Sequence, residues 1–483
     1  MKIANVFNSY YANIASELTN NIQNDDLINF ESKINKDTFF LQPTNYHEIL
    51  SIINKLKNKV SPGIDNISNN IIKNIGAFIA DPIAHIFNLS IEKSVYPKAF
   101  KLSVVVPIFK TGSKLHCNNY KPISLTTNLS KIFEKLLKSR IITFSNKCKF
   151  LSNRQYGFRD EYSTTDAINY LTETIYGMLD KKKAVVAIFL DLKKAFDLVD
   201  HNSLMNKIDK IGITGQANNY FRDYFKDRKQ IVKIDNTYSD ECEIKCGVLQ
   251  GSVLGPLFFL MYINDMIDLF CDRVIAFIDD TTVLCEGENW TEVEKIANYK
   301  INIIDNWLRA HKLILNNEKT VFITFSIYNN KQPDKILIKI KQQTLSNVKT
   351  AKSLGIYIDS NLRWNAHVNN IIKKSYYIIF ILKKLVNILS FHQVLAAYYA
   401  LLQSVISYGI IGWRGVYKSH RDKLDRIHKN IVKVIYNKFK CNKIYLPKLK
   451  DIMTLDGLYY NVSIKMNIKF LIKEYQELDG KRI

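Results

Sequence analysis

Three aspartates that end or separate predicted strands constrain the fold of this sequence more than any other feature. Residues 184–190 (AVVAIFL) form a continuous apolar run, which predicts a strand buried on both faces that ends at Asp191. Residues 274–284 contain two β-rich runs separated only by Asp279 and Asp280. Two residues between two strands predict a tight hairpin with both carboxylates at its tip. If these strand ends meet in one sheet, three carboxylates converge at a single edge.

Three converging carboxylates have a defined chemistry. Mg²⁺ prefers hard oxygen ligands, binds through few carboxylates and completes its shell with water and substrate phosphates. Two such ions a few Å apart activate a nucleophile and stabilise the leaving oxygen of a phosphoryl transfer. The alternative is that Asp279 and Asp280 form only a solvated turn, because the flanking strands indicate no more than a position at a sheet edge.

The composition favours a polyanionic partner. The 483 residues include 68 Lys and Arg against 45 Asp and Glu, which gives a formal net charge of +23, and 47% of the residues are hydrophobic. That apolar content suffices for several packed cores and excludes a disordered or low-complexity chain. So large a basic excess favours nucleic acid as the partner. AT-rich coding drift also explains part of the lysine excess and is the alternative.

Membrane-spanning and secretory segments are not expected. No apolar stretch reaches ~18–20 residues without a charge, and the N-terminus lacks a long apolar run and a cleavage site. The seven cysteines are scattered without a CxxC pair. We therefore expect reduced thiols, no structural zinc and an intracellular protein.

The remaining pattern predicts a mixed α+β chain with helical ends. One face of an N-terminal helix would carry Val6, Tyr10, Tyr11, Ile14 and Leu18. We expect an N-terminal helical extension in 1–60, the strands in 61–364 and a helical, basic region in 365–483. The other predicted elements are helices at about 66–95, 128–142 and 290–313 and strands at 103–109, 321–325, 336–340 and 353–358.

Three blocks resemble the A, B and C motifs of reverse transcriptases: FLDLKKAFDLVDH (189–201), GVLQGSVLGPLFFLMYINDM (247–266) and AFIDDTTVL (276–284). Further blocks resemble the jockey-like branch of non-LTR retrotransposons and occur in the order of that family. They are SPGIDNIS (61–68), VVPIFKTGS (105–113), NYKPISLTTNLSKIFEKLLKSRI (119–141), QYGFRDEYSTTDAI (155–168), LILNNEKT (313–320) and SLGIYIDSNLRW (353–364). The resemblance implies a right-hand polymerase: fingers and palm in 61–364, with the paired-Asp hairpin in the palm sheet, and a helical thumb and C-terminal extension in 365–483.

The resemblance also implies the reaction and its metal site. Asp191, Asp279 and Asp280 would bind two Mg²⁺ ions, with the Leu192 carbonyl as a further ligand and Mn²⁺ able to substitute. The implied reaction is RNA-directed DNA synthesis, and the implied partners are an RNA template, a DNA primer or target DNA, and dNTPs. Lys319 matches the basic residue that protonates pyrophosphate in such polymerases.

A nucleotide site is implied as well. Phe196 would lie beneath the sugar of the incoming nucleotide and leave no room for a 2′-hydroxyl, with a core aromatic as the alternative. The residues implied to line this site are Lys110, Lys121, Phe196, Gln250 and Gly251, and Arg159 is implied to contact the template or the fingers. Taken alone, each of the two lysines also suits a solvated surface.

Four lysines of the predicted thumb form a candidate nucleic-acid surface. Helical spacing within 367–385 predicts a buried face made of Val368, Ile371, Ile372, Tyr376, Ile379 and Leu382. Two basic pairs, Lys373–Lys374 and Lys383–Lys384, would lie about 15 Å apart along this helix. They would follow the phosphates of a template–primer duplex; a merely solvated basic face is the alternative.

The sequence departs from the family pattern at four positions: Lys121 replaces Arg, Leu249 replaces Pro, Phe277 replaces Tyr and Ile278 replaces Ala. These departures leave open a decayed element copy that only binds nucleic acid. An RNA-dependent RNA polymerase shares the palm but needs a polar residue where Phe196 stands. Because no endonuclease precedes residue 60 and no Cys/His knuckle follows the thumb, we expect a fragment or a truncated copy. The resemblance implies a nuclear location during integration and a cytoplasmic ribonucleoprotein otherwise.

Overall fold

The computed structural model describes residues 1–20, 35–58, 62–270, 273–326, 336–439 and 451–479. The chain divides into two compact units, each built from several segments. The first unit comprises Met1–Asp160, Leu190–Thr281 and Tyr299–Lys319, and the second comprises Glu161–Phe189, Thr282–Asn298 and Thr320–Ile483. The functional division into 1–60, 61–364 and 365–483 stays a prediction.

Helices account for most of the regular structure. In the described ranges they are α1 (Lys2–Thr19), α2 (Tyr46–Asn54), α3 (Asn69–Asn74), α4 (Gly76–Glu92), α5 (Asn128–Cys148), α6 (Thr164–Asp180), α7 (His201–Lys210), α8 (Gly215–Phe225), α9 (Gly255–Asp268), α10 (Trp290–Ala310), α11 (Asn365–Leu385), α12 (Phe391–Tyr398), α13 (Ser404–Ser407), α14 (Ile410–Trp413), α15 (Lys418–Phe439) and α16 (Leu455–Asp479). Local sequence signals start several of them. Thr127 and Asp200, for example, accept hydrogen bonds from backbone amides in the first turns of α5 and α7. No helix of the described ranges is long and apolar enough to cross a membrane.

The strands are short and alternate with helices along the chain. They are β1 (Leu102–Phe109), β2 (Tyr120–Leu125), β3 (Ala184–Leu190), β4 (Lys229–Ile234), β5 (Thr237–Tyr238), β6 (Cys242–Glu243), β7 (Val274–Phe277), β8 (Asp280–Gly287), β9 (Val321–Phe325), β10 (Lys339–Ile340), β11 (Gln343–Thr344), β12 (Ser346–Asn347), β13 (Thr350–Ser353) and β14 (Ile356–Asp359). Strands and helices are thus interspersed in one chain, which confirms the mixed α+β class.

One sheet of the first unit contains the hairpin formed by β1 and β2. Its order is β2-β1-β4-β5, with β6 also paired to β4. β1 and β2 are antiparallel, and their register places Lys121 opposite Ile108. β1 and β4 are parallel, and Val105 of β1 and Val232 of β4 pack with Phe7 of α1 in a buried cluster. The sheet is therefore covered on one face by the N-terminal helix.

A second sheet, of order β12-β9-β3-β8-β7, carries the aspartates. All seven residues of β3 are buried, so the strand predicted at 184–190 is confirmed. β3 pairs antiparallel with β9, from Val185 opposite Phe325 to Phe189 opposite Val321. β7 and β8 are consecutive neighbours in this order, which confirms a paired-Asp hairpin in the sheet.

The structure corrects two turns. Asp280 is the first residue of β8, so Ile278 and Asp279, rather than Asp279 and Asp280, separate the two strands. Ile278 has a φ of +64°, in the left-handed region. The single strand predicted at 353–358 is instead an antiparallel hairpin of β13 and β14 that turns at Leu354 and Gly355.

Two residues predicted on buried helix faces are exposed. Val6 of α1 is 59% exposed, because the buried side of that helix is centred on Phe7, Asn8 and Ile14. Tyr376 of α11 is 54% exposed, whereas the other five apolar residues of the predicted face are buried. Helical spacing places both residues at the border of the buried side of their helix. In the structure each of them lies on the solvent side of that border.

Candidate active site

The turn that carries Asp279 is held by a buried amide. The Gln155 side chain is fully buried, and its Oε1 accepts hydrogen bonds from the backbone amides of Ile278 (2.9 Å) and Gly157 (2.8 Å). Its Nε2 donates to the carbonyl of Ile278 at 3.4 Å. A β-branched residue with positive φ is strained, so these bonds stabilise a backbone conformation that the chain would otherwise avoid.

Gly157 packs directly against this turn. A Cβ atom added to Gly157 would lie 2.5 Å from Cγ1 and 2.7 Å from the backbone nitrogen of Ile278. Only glycine therefore fits at position 157 while the Ile278–Asp279 turn keeps its place. The loop containing Gln155 and Gly157 is further joined to β7 by a hydrogen bond from the Tyr156 amide to the Ala276 carbonyl (2.8 Å).

Asp191 is held by Asn316. The Asn316 side-chain amide donates to a carboxylate oxygen of Asp191 at 2.8 Å, and its backbone amide donates to the Asp191 carbonyl at 2.7 Å. The Lys193 amide donates to the Ile314 carbonyl at 2.9 Å, so Leu192 and Leu315 form an isolated antiparallel bridge. In this geometry the Leu192 carbonyl points away from the partner segment. Its role as a metal ligand stays a prediction.

The charge of Asp191 acts on the two carboxyls of the hairpin. Burial raises the pKa of Asp279, and the charge of Asp191 adds to this effect while the charge of Lys121 opposes it. Partial desolvation, followed by repulsion from Asp279 and Asp191, raises the pKa of Asp280 to about 6. The charge of Asp191 thus acts on both carboxyls, and the joint metal-binding role of the three residues stays a prediction.

The donor chemistry of these carboxylates fits a divalent cation. Mutually repelling oxygen donors are stabilised by a positive ion between them. No three His, Cys, Asp or Glu side chains of the described residues are already grouped tightly enough to hold a metal ion. The carboxylates fit a divalent cation in donor type and charge.

Phe196 and Gln250 lie on two segments that contact each other. The Phe196 ring stacks on Phe259 of α9, with ring centroids 4.5 Å apart and an interplanar angle of 14°. The Gln250 side chain donates to Asp197 at 2.9 Å. Burial raises the pKa of Asp197, and the Gln250 hydrogen bond opposes that rise. Asp197 is thus a positioning partner of Gln250.

Gly251 follows in a conformation that other residues avoid. Its φ is +128°, and an added Cβ would lie 2.4 Å from the Ser124 carbonyl oxygen of β2. The preceding carbonyl, of Gln250, accepts a hydrogen bond from the Ser124 amide at 2.8 Å. The buried Glu134 of α5 accepts hydrogen bonds from the amides of Val253 and Leu254, which fixes the start of α9.

The predicted basic residues differ in their surroundings. Lys110 and Lys121 are exposed at the β1–β2 hairpin, and the charge of Lys121 acts on Asp279 and Asp197. Lys319 is exposed three residues after Asn316. The Arg159 guanidinium donates to the carbonyls of Ser152 and Gln155, so it also orders the loop that holds the Asp279 turn.

The four lysines predicted in the thumb lie on the solvent side of α11. Lys373, Lys374, Lys383 and Lys384 are exposed. The Lys384 ammonium lies 4.5 Å from the centroid of the Phe380 ring, which is 57% exposed. Their binding of nucleic acid stays a prediction.

Sequence reasoning assigned no role to Gln155, Asn316 or Glu134. Each lies inside a block that resembles the family: Gln155 in QYGFR, Asn316 in LILNN and Glu134 in KIFEK. The resemblance therefore covers all three positions. None carries chemistry of its own, which is why residue type alone did not indicate a function.

Paired aspartates thus lie at a hairpin of one sheet, and Asp191 follows a neighbouring strand of the same sheet. The sequence profile of the family described as "Reverse transcriptase (RNA-dependent DNA polymerase)" matches residues 108–358. The chain belongs to the reverse transcriptase family.

Similar relatives include polymerases of mobile elements from Drosophila melanogaster. The probable RNA-directed DNA polymerase from transposon BS is 27% identical over 407 residues, which cover 82% of this chain and 45% of that protein. The corresponding protein from transposon X-element is 27% identical and covers 80% of this chain and 43% of its own length. The RNA-directed DNA polymerase from mobile element jockey is 27% identical over 340 residues, 68% of this chain and 37% of that protein. These relatives confirm the predicted resemblance to jockey-like elements, and the chain spans less than half of their length.

Proposed function

We propose that this chain is an RNA-directed DNA polymerase of a non-LTR retrotransposon. It extends the 3′-hydroxyl of a DNA primer with dNTPs along an RNA template. The observation that carries this proposal is the placement of Asp191 directly after β3 and of Asp279 and Asp280 at the β7–β8 hairpin of the same sheet. The family membership and the relatives' names support it.

Asp191, Asp279 and Asp280, together with the Leu192 carbonyl, would hold two Mg²⁺ ions, and Mn²⁺ is able to replace them. When bound, such ions lower the pKa of the attacking hydroxyl and stabilise the charge on the leaving oxygen. The reverse transcriptase family generally uses divalent metal ions. In this chain, Asn316 fixes the orientation of Asp191 and Gln155 fixes the turn that presents Asp279.

The other residues bind and orient the nucleotide. Lys110 and Lys121 neutralise the triphosphate, since both are exposed ammonium groups on one hairpin close to the carboxylates. Gln250, positioned by Asp197, lines the sugar and base side, and Gly251 allows the backbone to approach closely. The Phe196 ring, fixed by its stack on Phe259, excludes a 2′-hydroxyl. Lys319 donates a proton to the departing pyrophosphate.

Binding of the template–primer is assigned to the second unit and to the loop before α6. The exposed lysines of α11 contact phosphates, and Arg159 contacts the template strand. The net charge of +23 suits a nucleic-acid partner. From the resemblance to the family, the chain would act in a cytoplasmic ribonucleoprotein and in the nucleus during integration.

A templated extension assay tests the proposal. The purified chain is incubated with a heteropolymeric RNA template, a labelled DNA primer, four dNTPs and Mg²⁺, and the product is sequenced. We expect DNA complementary to the RNA, and only when the metal is present. Retained RNA binding without any extension would instead identify a nucleic-acid-binding relic, and equal use of rNTPs would identify an RNA polymerase.

A further inference from the structure

The N-terminal helix α1 is fixed to the sheet that contains the β1–β2 hairpin. Asn8 of α1 is buried and donates to the Ser239 hydroxyl (2.9 Å) and the Asp240 carbonyl (2.7 Å), while Gln230 of β4 donates to its Oδ1 (2.9 Å). Phe7 packs edge-on against Tyr120 of β2, with ring centroids 5.0 Å apart. Such complete pairing of a buried amide gives α1 one defined position.

From that position α1 reaches the nucleotide site. The ammonium group of Lys194 lies 5.7 Å from the centroid of the Tyr10 ring, and the Tyr10 hydroxyl donates to Asn118 at 3.2 Å. The next residue, Asn119, accepts a hydrogen bond from the Lys110 amide at 2.9 Å, and the Lys194 carbonyl accepts one from the Asp197 amide at 2.8 Å. Lys194 thus lies between the Tyr10 ring and the segment of Asp197, which positions Gln250.

Tyr11 lies next to the same carboxylate. It lines a cavity of about 50 Å³ together with Asp197, Gln250 and Ser124. Its hydroxyl is buried without a hydrogen-bond partner among the described residues. Two successive tyrosines of α1 therefore face the two side chains, Lys194 and Asp197, that flank the proposed nucleotide position.

We propose that α1 is a positioning element of the nucleotide site, in which the Tyr10 ring holds the Lys194 ammonium beside Lys110 as a further contact to the nucleotide triphosphate. The inference rests on the proposed function, because it assigns Lys194 to the same nucleotide. Ammonium groups that share one phosphate-binding site repel each other and are stabilised together by a polyphosphate. A ring beneath Lys194 supplies a cation–π contact that keeps it in place.

The test measures nucleotide binding without chemistry. An RNA template with a dideoxy-terminated DNA primer forms a ternary complex with the next dNTP and Mg²⁺, and the dNTP concentration at half-saturation gives the Kd. We expect Lys194→Gln to raise this Kd about tenfold, as for loss of one charge-assisted contact. Tyr10→Leu should raise it about fivefold, as for loss of one cation–π contact. Tyr10→Phe keeps the ring and should restore most of the affinity that Tyr10→Leu loses.

The double variant Tyr10→Leu/Lys194→Gln should bind dNTP no more weakly than Lys194→Gln alone, because Tyr10 acts through Lys194. Binding of the template–primer and the melting temperature should stay the same in Tyr10→Leu. An unchanged dNTP Kd in Tyr10→Leu, or a further fivefold loss in the double variant, would overturn the inference while leaving the polymerase function intact. A wild-type chain that forms no ternary complex with any dNTP would overturn both.

Discussion

The side chain of Gln155 is hydrogen-bonded to both the amide and the carbonyl of Ile278, 123 residues further along the chain. Ile278 adopts a left-handed conformation that costs roughly 1–2 kcal/mol for a residue with a Cβ. The Gln155 amide offsets this cost and holds the turn that carries the next residue, Asp279. The position of a carboxylate proposed to bind metal thus depends on a buried amide.

The contact between Gly157 and this turn can be tested with one methyl group. Gly157→Ala places a Cβ 2.5 Å from Ile278, so the turn must shift, and we expect dNTP addition to fall at least about tenfold because small displacements at reacting groups are costly. Gly177→Ala is the matched control, because an added Cβ meets nothing within 4 Å on helix α6. It should keep full activity and raise the free energy of unfolding by about 0.5–1 kcal/mol. Normal addition by Gly157→Ala in a primer-extension assay would mean that the turn is not the positioning element.

The sequence predicted the strands better than the contacts between them. The continuous apolar run 184–190 gave β3 with its correct ends, since burial on both faces leaves a strong local pattern. The turn at Ile278 was misplaced by one residue, because aspartate prefers turns and isoleucine does not. The hydrogen bond from the Ile278 amide to Gln155 stabilises isoleucine in this turn. Gln155 lies 123 residues away, so no local sequence pattern could indicate it. The role of Asn316, 125 residues from Asp191, escaped prediction for the same reason.

Resemblance to the family predicts the site residues, but it does not indicate which other residues hold them in place. Phe196 and Gln250 were named without their partners Phe259 and Asp197, which lie in separate segments. Tyr376 shows a limit of periodicity, because a tyrosine at the border of an apolar stripe fits either side of the helix.

Selection of the sugar should depend on the Phe196 ring. Phe196→Val removes the ring that excludes a 2′-hydroxyl, and we expect rNTP incorporation relative to dNTP to rise by at least about tenfold. Phe259→Leu is the control, because it loosens the stack but leaves the Phe196 ring in place. Single-nucleotide incorporation with dATP and ATP measures both ratios. An equal rise in the two variants would assign Phe196 to packing only.

The lysines of α11 predict the salt dependence of duplex binding. If Lys373, Lys374, Lys383 and Lys384 all neutralise phosphates, changing the four to Gln should reduce the slope of log K against log salt by about 0.7–0.9 per lost contact. The loss should be the same for every template sequence. Binding of a labelled RNA–DNA duplex across a salt series measures the slope.

Four other exposed lysines serve as the control for that variant. They are Lys36, Lys93, Lys98 and Lys226. Their change to Gln lowers the net charge equally and should leave the slope nearly unchanged. Equal reductions in the two quadruple variants would show that the α11 lysines act only through overall charge.

Acid should destabilise the protein through His311. Burial, together with the charge of Lys207, lowers the pKa of His311 to about 4, and its ring stacks on Trp307 at 4.0 Å. The unfolded chain therefore binds a proton that the folded chain does not, and stability falls as the pH falls from about 6.5 to 4, at most about 1.4 kcal/mol per pH unit.

We expect His311→Gln to flatten this dependence without abolishing it, because burial also lowers the pKa of His367 to about 4. Urea unfolding between pH 4 and 7 measures the slopes. The exposed His47 provides the control, and His47→Gln should follow the wild-type slope. Identical slopes in wild type and His311→Gln would contradict the buried, neutral state of His311.

The most direct test of the active site is the single-turnover rate of dNTP addition by Asp279→Asn at saturating Mg²⁺ and dNTP. Losing one metal-held charge costs several kcal/mol at the transition state, so we expect the rate to fall at least about 1,000-fold. Asp81→Asn, at an exposed position on α4, should retain the wild-type rate. An Asp279→Asn rate within tenfold of wild type would contradict a catalytic role for the paired carboxylates.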